Sequence, residues 1–295
     1  MDFLDRLIEL ALDEDLGAAG DVTTEALVPR NVRGMGVLFA KEPMVLSGLD
    51  AFARVFTTVD PQVQLKLLAK DGDSLRPKQR VATLSGKLRS LLIAERPALN
   101  IVQRTSGIAT LARTAAEAVK GSKLKILDTR KTTPGMRGLS KAAVRDGGAS
   151  NHRFGLFDGV LIKDNHIAAV GGSVREALQR AKAQAPRLVK IEIEVTTLAQ
   201  LREVLAEGCD VVLLDNMDDA TVAQAVKLAG GKVALEVSGG VTVERLPTLA
   251  KLGVDYVSLG ALTHSARAMD LSLEVELSSS RAVLRPPPGA KAKRG

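Results

Sequence analysis

The apolar and polar positions of this 295-residue chain follow two rhythms. From about residue 33 to 85, short alternating runs are broken by Gly and Pro, as in GMGVLFAKEPMVLSG and VQLKLLAKDGDSLRPKQRVATLSG. Period-two alternation predicts half-buried strands and the breakers predict tight connections, so this stretch reads as a small antiparallel sheet. An amphipathic N-terminal helix precedes it, with Phe3, Leu4, Leu7, Ile8 and Ala11 on one face. From Leu88 to about Val119 the period becomes helical, and Pro97 and the Ser106-Gly107 pair are expected to kink or divide that helix.

After Lys123, short β-rich segments recur: KLKILDTR, GVLIKDN, LVKIEIEV, DVVLLDN, KVALEVSGG and DYVSLGA. Helical stretches lie between the later ones. Ser173 with Glu176 and Thr197 with Gln200 predict their starts, and Gly208, Gly230 and Gly253 their stops. Such alternation predicts a parallel α/β fold, closed or nearly closed as a barrel. Each strand is apolar until its last residues and then ends in a polar or small group. These are Asp128 and Arg130, Lys163 and Asp164, Glu194, Asp215, Ser238 with Gly239, and Gly260. The C-terminal strand ends of a barrel form its active-site mouth, so the pattern predicts a polar catalytic pocket there.

Composition narrows the partner. The formal charge of +7 suits an anion, but aromatics are only 2% of the chain and Trp is absent, which disfavours stacking on single-stranded nucleic acid. The positive charge is gathered in the pocket motifs and in a Pro-rich, basic tail, residues 286–295, expected to be disordered. Cys209 is the sole cysteine, so no intrachain disulfide is possible and a reducing, cytoplasmic setting is expected. The acidic N-terminus is unlike a signal peptide, and no apolar run approaches membrane-spanning length.

The pocket motifs supply the chemistry. DTRKTTPGMRG brings Arg130, Lys131 and Arg137, and NHRFGLFDGVLIKDNH adds His152, Arg153 and Lys163. Guanidinium forks match carboxylate and phosphate oxygens in pairs, so five cations and a histidine at one mouth predict an anion site. Glu194 and Asp215 face them, and acids beside a polyanion call for a mediating Mg²⁺. In VSGGV, the backbone N–H groups of Ser238, Gly239 and Gly240 suit a phosphate, which His264 is placed to touch. His166 is expected to order the loop after Lys163. A lysine at a strand end also fits a Schiff-base aldolase, but Asp164 alongside Lys163 opposes the lowered pKa that chemistry needs.

With these motifs in hand, the chain resembles the quinolinate phosphoribosyltransferases. AERPALNIVQRTSGIAT, DTRKTTPGMR, NHRFGLFDGVLIKDNH, EIEV, LLDN, VSGGV and GALTHSARAMDLSLE occur in that family's order. The resemblance implies a small α/β sandwich domain (1–108 and 270–285, the last helix returning to it) on an open, incomplete α/β barrel (109–269). It implies transfer of phosphoribosyl from phosphoribosyl pyrophosphate to quinolinate, giving nicotinate mononucleotide, CO₂ and diphosphate with Mg²⁺. By position, Arg130, Lys131, His152, Arg153 and Lys163 match residues that hold the quinolinate carboxylates or the diphosphate, and Lys131, Lys163, Glu194 and Asp215 are the expected catalytic residues. Glu194 and Asp215 match the metal-side acids, and Ser238, Gly239 and Gly260 the loops around the 5-phosphate. Arg96 matches an arginine that reaches across a homodimer into the partner's pocket. Two departures from the family pattern are Ala149, where a third Gly is usual, and Pro97, where Thr is usual. A sister transferase using nicotinate or another acceptor is the nearest alternative, and the intact NHR and IKDN motifs favour the dicarboxylate.

Overall fold

The computed structural model describes residues 2–277, so the 286–295 tail and the end of the 270–285 segment lie outside the described residues. Helix α1 (Phe3–Leu16) is closed by a capping box between Asp2 and Asp5. It buries Ile8 and Leu12 but leaves Phe3 62% exposed, so the buried stripe starts one turn later than the apolar pattern suggests. Short α2 (Val22–Leu27) leads into β1 (Arg33–Ala40), β2 (Met44–Val45), α3 (Leu49–Val59), β3 (Gln64–Leu67), β4 (Ser74–Leu75) and β5 (Arg80–Lys87). Strands β1, β3 and β5 pair antiparallel, as the alternation predicted, and β2 pairs with β4 in a separate ribbon. Over this sheet α3 buries Phe52 and Phe56, a tilted ring pair 5.1 Å apart. In so ring-poor a chain, losing either ring would cost about 3–5 kcal/mol.

Helix α4 (Leu88–Ala118) runs unbroken for 31 residues through Pro97 and Ser106-Gly107, so the expected division does not occur. Its first half, from Leu91 to Val102, belongs to the core of the small sheet. The second, from Ile108 to Ala115, belongs to the core of the second domain. Pro97 is tolerated because surrounding packing holds its turn, the residue itself being buried. At Gly107 the carbonyl of Arg267 comes so close that any Cβ would collide with it, which explains the glycine at this crossing.

The second domain contains β6 (Lys125–Leu127), α5 (Arg137–Asp146), β7 (Val160–Ile162), α6 (Asp164–Ala169), α7 (Val174–Gln184) and β8 (Ile191–Val195). It continues with α8 (Leu198–Glu207), β9 (Val211–Asp215), α9 (Asp219–Ala229), β10 (Ala234–Ser238), α10 (Leu246–Leu252), β11 (Tyr256–Ser258) and α11 (Ala261–His264). Its six strands are parallel in the order β6-β11-β10-β9-β8-β7. The two edges, β6 and β7, are not paired with each other; a single bridge from Leu127 to Ser150 stands at the gap, so the barrel is open. Ser173 and Thr197 cap α7 and α8 as expected, and Gly208, Gly230 and Gly253 end α8, α9 and α10. The last described element, β12 (Leu271–Leu277), pairs antiparallel with β1. Over its described residues the returning segment is a strand where the family resemblance implied a helix: alternating LSLEVEL suits a half-buried edge.

Candidate active site

The strand ends converge on a cavity of about 420 Å³. Arg130, Lys131, His152, Arg153, Lys163, Glu194, Asp215, Ser238, Gly239 and Gly240 all line it. The parallel register explains much of this grouping. Ser238 at the end of β10 pairs with Asp215 at the end of β9, so polar termini of neighbouring strands arrive level at one rim. Gly260 and His264 lie one step outside: a side chain on Gly260 would press on Lys131 Cδ at 3.0 Å and on His264 Nε2 at 3.1 Å. Arg137 does not join the cation cluster; it bonds Thr132 Oγ1 and the Phe154 carbonyl. Arg96 is exposed on α4 and does not line this cavity.

Asp128, read from sequence as a mouth residue, is wholly buried beneath it. Its carboxylate takes Lys141 Nζ at 2.6 Å, Asn151 Nδ2 at 2.8 Å and the His152 N–H at 2.8 Å. Lys141 completes the knot through the His152 carbonyl at 2.9 Å. The pair thus fixes the NHR loop against α5. Gly148 takes the left-handed turn here (φ 90°), whereas Ala149 is absent from the positive-φ residues, so replacing the usual third glycine strains nothing.

The three residues of NHR have different tasks. Asn151 anchors. Arg153 accepts a fixed pose, Nη1 bonding the Gly159 carbonyl at 2.8 Å. Burial and the nearby Arg130 charge push its guanidinium pKa down. Arg130 Nε is buried with no hydrogen-bond partner among the described residues. Two half-buried guanidiniums on one cavity wall, one with a buried donor lacking a partner, suit an anion.

His152 points the other way. Its Nε2 lies 2.9 Å from Glu192 and 3.6 Å from Glu236, while Nδ1 accepts the Arg153 N–H at 2.8 Å. The carboxylate it bonds is therefore the chain's own. Burial opposes charge on the ring, but the Glu192 hydrogen bond and the charges of Glu236 and Glu192 outweigh it, and the pKa is raised. Because Nδ1 is an acceptor, the neutral ring carries its hydrogen on Nε2 and donates it to Glu192.

Glu192 and Glu236 are not among the residues the strand-end pattern points to. Period two was the available signal: Glu192 is two residues before Glu194, and Glu236 two before Ser238, so each shares the inward face of its strand. Their side chains are 9% and 2% exposed, and each has one carboxyl oxygen without a partner among the described residues. Burial and then the Glu192 charge raise the Glu236 pKa to about 7. Below this layer a second cavity of about 310 Å³ opens near the strand starts Val160, Val211 and Tyr256, sharing His152, Arg153 and Glu236 with the upper one. His152, Glu192 and Glu236 offer three donors close enough for a metal ion. The tautomer is wrong for one, since ligation through Nε2 needs the hydrogen on Nδ1, where the Arg153 N–H already points.

Glu194 and Asp215, the acids expected to meet a magnesium ion, have the donor chemistry for one. Both are hard oxygen donors on the cavity wall; Glu194 shares one oxygen with Lys163 Nζ at 3.0 Å, and Asp215 Oδ2 accepts from Asn216 Nδ2 at 2.8 Å. Lys163 is oriented from behind by His166, whose Nδ1 accepts the Lys163 N–H at 2.9 Å, the loop-ordering role expected of it. On the phosphate side Gly239 (φ 88°) and Gly240 (φ 59°) are both left-handed. A Cβ on Gly239 would overlap the Asn216 side chain.

Comparison with known proteins agrees with this arrangement. Residues 21–106 match the quinolinate phosphoribosyl transferase N-terminal domain and residues 108–274 its C-terminal domain. The chain is 44% identical to a probable nicotinate-nucleotide pyrophosphorylase [carboxylating] of Bacillus subtilis, covering 94% of each. It is 39% identical to a quinolinate phosphoribosyltransferase [decarboxylating] of Nicotiana tabacum, covering 92% of this chain and 82% of that one. Among solved structures, NadC from Streptococcus pyogenes superposes with a TM-score of 0.89 at 42% identity, covering 93% of this chain and 96% of that one. Matching both domain models in order, with the motif side chains gathered at one barrel mouth, this chain belongs to the quinolinate phosphoribosyltransferase family.

Proposed function

We propose that the chain transfers phosphoribosyl from phosphoribosyl pyrophosphate to quinolinate and decarboxylates the product, giving nicotinate mononucleotide, CO₂ and diphosphate for NAD synthesis. The observation that carries the acceptor choice is the half-buried wall of Arg130 and Arg153, with a buried Arg130 Nε that has no partner among the described residues. Two adjacent carboxylates supply enough acceptors and charge for two guanidiniums; a single carboxylate does not.

In this reading Arg130 and Arg153 hold the acceptor with its ring nitrogen facing the sugar. Ser238, Gly239 and Gly240 present backbone N–H groups to the 5-phosphate at the end of β10, and His264 stands behind Lys131 beside Gly260. Lys131 and Lys163 place positive charge where diphosphate departs from the anomeric carbon, and Glu194 steadies Lys163. Glu194 and Asp215 would hold a magnesium ion, which supplies further charge neutralisation to the leaving group. Positioning and fixed charge supply most of the acceleration, because the displacement asks little covalent chemistry of the protein.

Arg96 enters from a second subunit of a homodimer in this account; its exposure on α4, away from its own chain's cavity, supports that placement. No helix among the described residues is long and apolar enough to cross a membrane, and the lone cysteine suits a reducing cytoplasm. A coupled assay tests the reaction: protein with phosphoribosyl pyrophosphate, Mg²⁺ and either quinolinate or nicotinate, following mononucleotide and CO₂. Product from quinolinate alone, abolished by EDTA, is expected. Product only from nicotinate would move the chain to a sister activity.

A further inference from the structure

Decarboxylation leaves one proton to be accounted for. When CO₂ departs, the bond from C2 to the carboxylate carbon breaks and its electron pair stays on C2, beside the positively charged ring nitrogen. A C2–H bond must then form, and its proton needs a donor in the cavity.

The geometry eliminates most of the lining groups. Arginine does not give up protons in proteins. The Lys163 ammonium is held by Glu194 at 3.0 Å, and Lys131 extends over Gly260 towards His264, at the α11 side of the mouth. Both ring nitrogens of His152 are already engaged within the protein, Nε2 with Glu192 at 2.9 Å and Nδ1 with the Arg153 N–H at 2.8 Å. Glu236 remains. It lines the cavity that Arg130 and Arg153 wall, its side chain is 2% exposed, and its Oε1 has no partner among the described residues.

We propose, on the strength of the decarboxylating reaction above, that Glu236 is the acid that delivers this proton to C2. The carboxyl O–H bond breaks, the C2–H bond forms with the electron pair CO₂ left behind, and Glu236 becomes a carboxylate. It takes a proton back from water after the product leaves. The surroundings favour the acid form at the start of the cycle. Glu192 faces Glu236 from β8, His152 from the loop before β7 and Ser258 from β11, with Arg130 and Arg153 across the cavity. Burial and Glu192 already disfavour its ionised form. A dicarboxylate arriving beside it adds like charge, so binding quinolinate selects the protonated carboxyl. The layer of acids under an anion site, otherwise a repulsive arrangement, then has a use.

Two measurements on the full chain test this. Calorimetric titration of quinolinate in buffers of different ionisation enthalpy is expected to show a proton taken up on binding at neutral pH, an uptake that Glu236→Gln removes. The same variant, isosteric and neutral, is expected to bind quinolinate within about threefold of the original chain while its kcat falls about 10²–10³-fold. In the unaltered protein kcat should fall as pH rises through the Glu236 transition, since the acid must be protonated. A Glu236→Gln enzyme with kcat within about threefold of the original would overturn the proposal. So would binding without proton uptake, a readout that does not depend on the variant folding. A variant that loses affinity and kcat together would make Glu236 structural and equally overturn it. Failure of the unaltered chain to form nicotinate mononucleotide would instead refute the reaction, which separates the two claims.

Discussion

Lys141 and Asp128 are as deeply buried as Glu192 and Glu236, yet the two clusters satisfy their polar atoms to different degrees. In the first, both Asp128 oxygens and the Lys141 ammonium have protein partners at 2.6 to 2.9 Å. In the second, two acids and a histidine share too few hydrogens, and one oxygen of each acid stays unpartnered. The clusters touch through His152, whose N–H and carbonyl belong to one and whose ring belongs to the other. A closed set of bonds fixes a loop. An under-satisfied set, which costs free energy without a compensating partner, is placed where chemistry can use it.

The contrast can be broken at either side. Asp128→Ala leaves the Lys141 ammonium buried without a counter-charge, its bond to the His152 carbonyl remaining, and is expected to cost about 3–5 kcal/mol in denaturant unfolding. Replacing both by apolar residues of matching volume, Asp128→Leu with Lys141→Met, should recover much of that loss, because the penalty lies in the uncompensated charge. On the functional side, Arg130→Ala should leave the denaturation midpoint near that of the original chain but lower kcat/KM for quinolinate about 10²–10³-fold. A large stability loss in Arg130→Ala would erase the distinction. Gly239→Ala sets strain and a clash with Asn216 against a left-handed backbone. It should raise the KM for phosphoribosyl pyrophosphate about tenfold while sparing quinolinate binding. The smallest effect lies far from the mouth. Glu42 bonds Arg267 and the Asp270 N–H, which lower its pKa from 4.5 to about 2. A depressed carboxylate stabilises the fold above its unfolded pKa and loses that contribution as pH falls through the folded one. Glu42→Gln should therefore flatten the thermal-midpoint profile between pH 4.5 and 2, with little change in activity.

How far the sequence alone leads differs between these same layers. The mouth is legible because strand ends are local: Lys163, Glu194, Asp215 and Ser238 each close an apolar run, and parallel register brings them level. The layer beneath is harder. Glu192 and Glu236 sit inside strands, where one acid among aliphatics reads as an outward-facing position until the barrel closes around it. Asp128 shows the opposite error, a strand-end acid drawn inward by Lys141, a residue whose helical context, LSKAAVRD, suggests only a solvated face. Helix α4 survives Pro97 because two cores hold its ends, a tertiary effect no local rule contains. The same limit applies to β12, whose strand state depends on pairing with β1, far away in the chain.

The Arg130 and Arg153 wall decides between a dicarboxylate and a monocarboxylate acceptor. The direct measurement is calorimetric binding of quinolinate and of nicotinate to the same preparation. Quinolinate is expected to bind at least about tenfold more tightly, the second carboxylate meeting the Arg130 and Arg153 donors, with the difference lost in Arg130→Ala. Equal affinities for the two acids, or a preference for nicotinate, would contradict it.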